Sequence, residues 1–281
     1  MPPTRVVLIT GCSSGIGAAT ALRLHRAGHL VYASARRVDE LAGLAAAGIA
    51  TLHLDVTDEA SMQAVVKRIA EERGRIDALV NNAGYGVIGA LEEVPPAAVR
   101  SQFETNVFGA VRLIQLVLPG MRAAGWGRIV NLSSVLGQVA VPGSAVYGAS
   151  KYALEGVSDA LRVEVARFGV HVSLIEPGPV RTAFAARATA ELPGDSAAYE
   201  DFRDRLADWF AAVYGPARPN PLGRFTVDSE AVAAAVDRAI RARRPRARYP
   251  VGLPARGLSL LRRMLPGRLL DGFVRAQFPA P

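Results

Sequence analysis

The chain has 281 residues, half of them apolar, enough to bury a large core and too apolar for disorder to be its main state. Its single cysteine, Cys12, excludes an internal disulfide framework and a cysteine-based metal cluster, and suits a reducing cytoplasm. The net charge of +8 is local, since eleven arginines stand against two aspartates between Val236 and Arg275. No stacking aromatics or reading motif are interleaved there, so nucleic acid is not an expected partner. That segment is either a solvated basic surface or one that meets an anionic surface or substrate. The N-terminus enters an apolar run with no cleavable leader pattern, and the longest apolar stretch, 107–118, carries Arg112 and is too short to span a bilayer. A soluble, cytoplasmic protein is expected.

Short β-branched runs alternate with helical patterns, the mark of βαβ units around a parallel sheet. The first strand, about Arg5 to Thr10, runs into TGCSSGIG, which opens a helix over about 16–27. Backbone N–H groups along Gly11, Ser13, Ser14, Gly15, Ile16 and Gly17, with the positive helix end, favour a diphosphate. The glycines permit a tight turn and close backbone approach, although such turns also serve purely structural ends. Cys12 has no histidine near it in sequence and reads as a small loop residue.

The second strand, Leu30 to Ala35, ends in VYASARR. A carboxylate at this place would suit a ribose 2′-hydroxyl, whereas Arg36 and Arg37 suit a 2′-phosphate, which predicts NADP(H) over NAD(H). Chance placement in an arginine-rich chain is the alternative. Further strands are expected near Thr51 to Leu54, Ala78 to Asn81, Arg128 to Leu132 and Val170 to Glu176, with helices at about 38–47, 59–73, 97–123 and 146–168. Six strands with five crossovers make a doubly wound α/β fold of Rossmann type.

Lysine occurs at only two places, Lys67 and Lys151, and the second lies four residues after Tyr147 on a predicted helix. The two therefore share a face. A phenol with an ordinary pKa of about 10 is a poor acid-base group at neutral pH until a nearby ammonium favours its ionised form. Ser134, at the end of the fifth strand, offers a hydroxyl that could polarise a carbonyl.

The pieces TGCSSGIG, Asp55-Val56, NNAG at 81–84, TN at 105–106, SS at 133–134, YGASK and PGPVRT at 177–182 stand in an order that resembles the short-chain dehydrogenase/reductase family. Within it, the estradiol 17β-dehydrogenases and photoreceptor-type retinol dehydrogenases look most similar. The resemblance covers Thr4 to about Thr182. It implies that Tyr147 exchanges the proton at the substrate oxygen, Lys151 tunes Tyr147 and holds the nicotinamide ribose, and Ser134 binds the carbonyl oxygen. Asn106 would position Lys151 through a water. Asp55 and Val56 would bracket the adenine, Asn82, Ala83 and Gly84 would line the adenosine side, and Pro177, Gly178, Val180 and Thr182 would meet the nicotinamide end. Asn82 and Gly84 have the alternative of merely shaping the chain, and Asn106 of kinking its helix. The family also implies a homodimer or homotetramer.

Residues 183–225 break the strand rhythm, yet a structureless loop of that length is improbable in a compact domain. Phe202, Leu206, Trp209, Phe210 and Val213 recur at helical spacing, as core packing or as a lid over a cleft. After a candidate seventh strand, RARYPVG, the tail at 253–281 departs from the family pattern. It alternates arginines with leucines and aromatics, and could cover an apolar cleft, pair with another subunit or touch an anionic membrane. The expectation is a single domain, 1–281, with this insertion and a helical tail, exchanging hydride between NADP(H) and a lipophilic ketone or secondary alcohol. A non-catalytic dinucleotide sensor, an epimerase and a reductase of small polar carbonyls are the alternatives.

Overall fold

The computed structural model describes residues 3–189, 192–214 and 225–280. Seven parallel strands form one sheet in the order β3-β2-β1-β4-β5-β6-β7. The strands are β1 (Val6–Ile9), β2 (Leu30–Ala35), β3 (Ala50–His53), β4 (Ala78–Asn81), β5 (Gly127–Leu132), β6 (Val170–Pro177) and β7 (Arg248–Val251). Successive side chains along a strand point to opposite faces, so Val7 and Ile9 enter one core while Val6 and Leu8 enter the other.

The first core packs under α1 (Gly15–Arg26), the short α2 (Ala42–Ala46) and a helix that follows β6, and the second under α3 (Glu59–Arg73), α5 (Gly109–Ala123) and α6 (Ala145–Val165), with α4 (Pro96–Phe103) preceding α5. Both faces being covered explains why β4 and β5 read as uninterrupted buried runs. The doubly wound fold and its boundaries follow the sequence reading closely. One refinement is chemical: the expected helix at 97–123 is α4 and α5 joined by a π-helical turn, Glu104–Phe108, that carries Asn106.

The insertion and tail are helical. After β6 come α7 (Phe184–Thr189) and α8 (Glu200–Tyr214), then α9 (Ser229–Arg241), β7, α10 (Leu253–Met264) and α11 (Gly267–Gln277). Residues 215–224 of the insertion lie outside the described residues. The periodicity argument did not single out α9, although Asp228 caps it by accepting from Ala231 N at 2.8 Å and Val232, Val236 and Ile240 pack into the first core.

Candidate active site

The glycine loop after β1 is held by packing as well as by torsion. Gly11 and Gly15 have φ of 70° and 59°, open to glycine at little cost. At Gly17 an added Cβ would lie 2.3 Å from Gly11 O and 2.6 Å from Asn82 Nδ2. Asn82 Nδ2 donates to Thr10 O and Gly11 O, each at 2.9 Å, while Thr10 Oγ1 accepts from Asn82 N at 3.0 Å and Ala83 N at 2.9 Å. Asn82 therefore braces the loop from β4, the shaping role that the sequence left open.

A cavity of about 840 Å³ runs along the carboxyl ends of the strands. Such a crevice is where open α/β sheets bind ligands. In strand order its lining passes from Asp55 and Val56 after β3, through Arg36 and Arg37 after β2, to Gly11, Ser13, Ser14, Gly15 and Ile16 after β1. It continues through Asn82, Ala83 and Gly84 after β4 and Ser134 after β5 to Pro177, Gly178, Val180 and Thr182 after β6. Tyr147 and Lys151 line it from α6. Two expected site residues do not: Gly17 packs inside the loop, and Asn106 stands behind the wall.

The two arginines after β2 separate. Arg37 is ion-paired to Glu40, whereas Arg36 lines the cavity with no ion pair among the described residues. Positive-φ glycines, exposed backbone donors at a helix start and one uncommitted guanidinium fit a dinucleotide carrying an extra phosphate.

Beside Tyr147, Lys151 is 5% exposed and its Nζ donates to Leu132 O at 2.7 Å, 5.7 Å from the centre of the Tyr147 ring. Tyr147 is half-buried and lines the cavity. Burial pushes its phenol up to about 12, and the Ser134 hydroxyl pulls it back. Burial likewise draws Lys151 down to about 8, against the charge of Glu155. Desolvation is the largest influence on both groups. Cys12 is also settled by burial, which pushes its thiol up to about 12.

Asn106 is fixed by three hydrogen bonds: Oδ1 accepts from Tyr85 N at 3.1 Å, and Nδ2 donates to Tyr85 O at 2.9 Å and to Ser150 Oγ at 3.0 Å. None reaches Lys151. The supporting Gln102 and Ser150 were missed, although the signal was present: Gln102 lies one turn before Asn106 and Ser150 is inside YGASK. Also missed was Tyr214, which lines the far end of the cavity with Phe184, Trp209 and Phe210. The tail closes that end, because Leu258 and Phe278 line it, the Trp209 and Phe278 rings meet at a tilt with centres 5.1 Å apart, and Trp209 Nε1 donates to Gln277 O at 3.2 Å.

The sequence pattern of the short chain dehydrogenase family matches residues 5–193. An uncharacterised oxidoreductase of Escherichia coli K12, YbbO, is 39% identical over 94% of this chain and 92% of its own. Human retinol dehydrogenase 8 is 43% identical over 71% of this chain and 68% of its own. A solved metagenomic short-chain oxidoreductase in complex with NADP is 27% identical with a TM-score of 0.67, covering 88% of this chain and 96% of that one. With the strand order, the glycine loop and the Ser134, Tyr147 and Lys151 cluster, these matches show that the chain belongs to the short-chain dehydrogenases, a family of oxidoreductases.

Proposed function

We propose that this oxidoreductase uses NADP(H) and acts on a bulky lipophilic ketone or secondary alcohol, steroid-like, retinoid-like or long-chain. The observation that carries the reading is the single cavity with two unlike ends: Arg36 and the glycine loop at one, Phe184, Trp209, Phe210 and Phe278 at the other, and Ser134, Tyr147 and Lys151 between. Apolar walls with a few convergent polar groups are the usual form of a small-molecule site. The NADP complex of the metagenomic neighbour and the retinol dehydrogenase relative lend support.

In this reading the nicotinamide supplies the two-electron exchange, and the chain supplies orientation and a proton. Ser134 would donate to the carbonyl oxygen, Tyr147 would give or take the proton there, and Lys151 would stabilise the phenolate and reach the ribose hydroxyls. Asn106, held by Tyr85 and Ser150, would order the approach to Lys151. The aromatic cover would exclude water. Reduction is the favoured direction, since NADPH is commonly a reducing pool in cells. The whole chain is read as one domain that forms a homodimer or homotetramer. Exposed Leu253, Met264 and Leu269 among the arginines of α10 and α11 also suit a peripheral contact with an anionic membrane.

The test is a panel of steroid, retinoid, long-chain and small polar ketones, each with NADPH and NADH. The reading requires consumption of NADPH with the bulky substrates. Turnover confined to small polar carbonyls would favour the polar-carbonyl reductase, and no turnover despite NADPH binding the non-catalytic sensor.

A further inference from the structure

A second cavity, of about 470 Å³, opens at the amino ends of the strands, opposite the crevice that holds Tyr147. Its walls carry Arg5 before β1, His29 before β2, Arg128 on β5, His171 on β6, and Arg241 and Arg243 at and beyond the end of α9. No acidic residue lines it. Trp126 does, and the guanidinium carbons of Arg5 and Arg128 lie over its ring, 3.6 Å and 4.5 Å from the centre.

Every ion pair that reaches these arginines still leaves the cluster short of anions. Asp77 meets Arg5 at 3.9 Å but is nearer Arg75, at 2.9 Å. Asp237 meets Arg241 at 3.8 Å and Arg23 at 3.2 Å, and Arg23 is paired with Glu230 as well. Three carboxylates thus serve six guanidiniums, and among the described residues Arg128 and Arg243 have no ion pair.

Arg128 is the residue that most needs a partner. It is 4% exposed, donates through Nη1 to Gly127 O at 2.9 Å and through Nη2 to Ala242 O at 3.0 Å, and keeps its Nε buried without an acceptor. Carbonyls satisfy donors but bring no full charge, and a buried cation without a counter-charge is costly. Burial, reinforced by the charge of Arg5, draws Arg128 down to about 10, whereas Arg112, bonded to Glu59, is raised. Capping α9 accounts for the bond to Ala242. It does not account for a cavity whose other walls are Arg5, Arg241, Arg243 and His171.

Guanidinium forks match the oxygen geometry of phosphate, and stacking on Trp126 orders two of them before a ligand arrives. Four arginines spread around one cavity suit a charge carried on two linked phosphates better than a single ion. We propose that this basic cavity binds a phosphate-bearing anion of about the size of a diphosphate, with Arg128 and Arg243 as the cations it neutralises. The site is separate from the crevice read as the NADP(H) site and does not depend on that reading. It gives the arginines at the head of the basic segment an anionic partner.

Trp126 and Trp209 are the two tryptophans of the chain, so in a Trp209→Phe background the emission of Trp126 reports this cavity alone. Titration with pyrophosphate at constant ionic strength should change that emission along a saturable curve. Arg243→Gln should raise the Kd by about tenfold, the order expected of a lost charge-assisted contact. Arg128→Gln should abolish the response, and because Arg243 is exposed, Arg243→Gln keeps the test decisive if the Arg128 variant does not fold. Phosphatidic acid vesicles distinguish the source of the phosphate: an emission change that pyrophosphate reverses assigns it to a lipid headgroup, and a response to pyrophosphate alone assigns it to a soluble molecule. No saturable change with pyrophosphate, or a Kd unchanged by Arg243→Gln, would overturn the proposal and leave a solvated basic surface around a structural Arg128.

Discussion

The two ends of the cavity are built by different physics. At the cofactor end the constraints are backbone ones: φ of 70° at Gly11 and 59° at Gly15, a missing Cβ at Gly17, and Asn82 and Thr10 lacing β1 to β4. At the far end the wall is made of side chains on α8 and the tail, with Phe210 stacked on Tyr214 at 5.6 Å and Trp209 tilted against Phe278. Backbone geometry admits few alternatives, whereas a ring can be exchanged for another apolar group with only a change of volume. On the proposed reading, cofactor binding would rest on the rigid end and substrate choice on the end that can be recut.

The sharpest cut falls between the ends. Tyr147→Phe removes one oxygen and touches neither wall, so it should lower turnover by at least ~10²-fold while leaving NADPH dissociation, followed by fluorescence titration, nearly unchanged. Turnover close to wild type would show that the phenol is a packing group.

Glycine replacements then compare the ends directly. Gly17→Ala forces a shift of the Gly11 carbonyl or of Asn82, and NADPH affinity should fall by roughly tenfold or more, about 1.4 kcal/mol. Gly257→Ala on α10 meets nothing within 4 Å and should leave binding alone, with the melting temperature equal or higher. Equal effects at the two positions would contradict the division into a rigid and a tolerant end.

What the sequence made legible follows the same division. The glycine loop, the strand ends and YGASK are local patterns in which spacing alone implies geometry, so the fold and most of the cavity wall could be read without coordinates. The basic cavity could not be, since its walls run from Arg5 to Arg243 and Arg128 lies 114 residues from Ala242 in the chain. Nor could the cover on Trp209, whose partner Gln277 is 68 residues away. The helix α9 carried a legible signal, with Val232, Val236 and Ile240 recurring four apart behind the Asp228 cap, and it was passed over because no motif pointed to it.

Arg36 tests the cofactor end without disturbing its backbone. Arg36→Asp should weaken NADPH selectively and shift preference toward NADH by about tenfold, the order expected of a lost charge-assisted contact. Arg37→Asp should do less, because Arg37 is already paired with Glu40. Should NADPH and NADH weaken equally, the 2′-phosphate is held elsewhere and Arg36 supplies only general attraction.

The smallest effect is expected at the end that tolerates change. Phe278 is partly buried, lines the cavity and packs against Trp209, so Phe278→Ala opens the cover without touching a strand end. Losing its apolar contact should cost about 1 kcal/mol in substrate binding, roughly a fivefold rise in KM for a bulky lipophilic ketone. NADPH affinity should not move, because every residue proposed to hold the cofactor lies on the opposite side of Tyr147 in strand order or beside the β6 turn. A small polar carbonyl would not reach Phe278, and its KM should be indifferent to the change. The ratio of the two KM shifts is therefore the discriminating quantity: if both substrates respond alike, or neither does, the tail is a packing element and the apolar end of the cavity does not select the substrate.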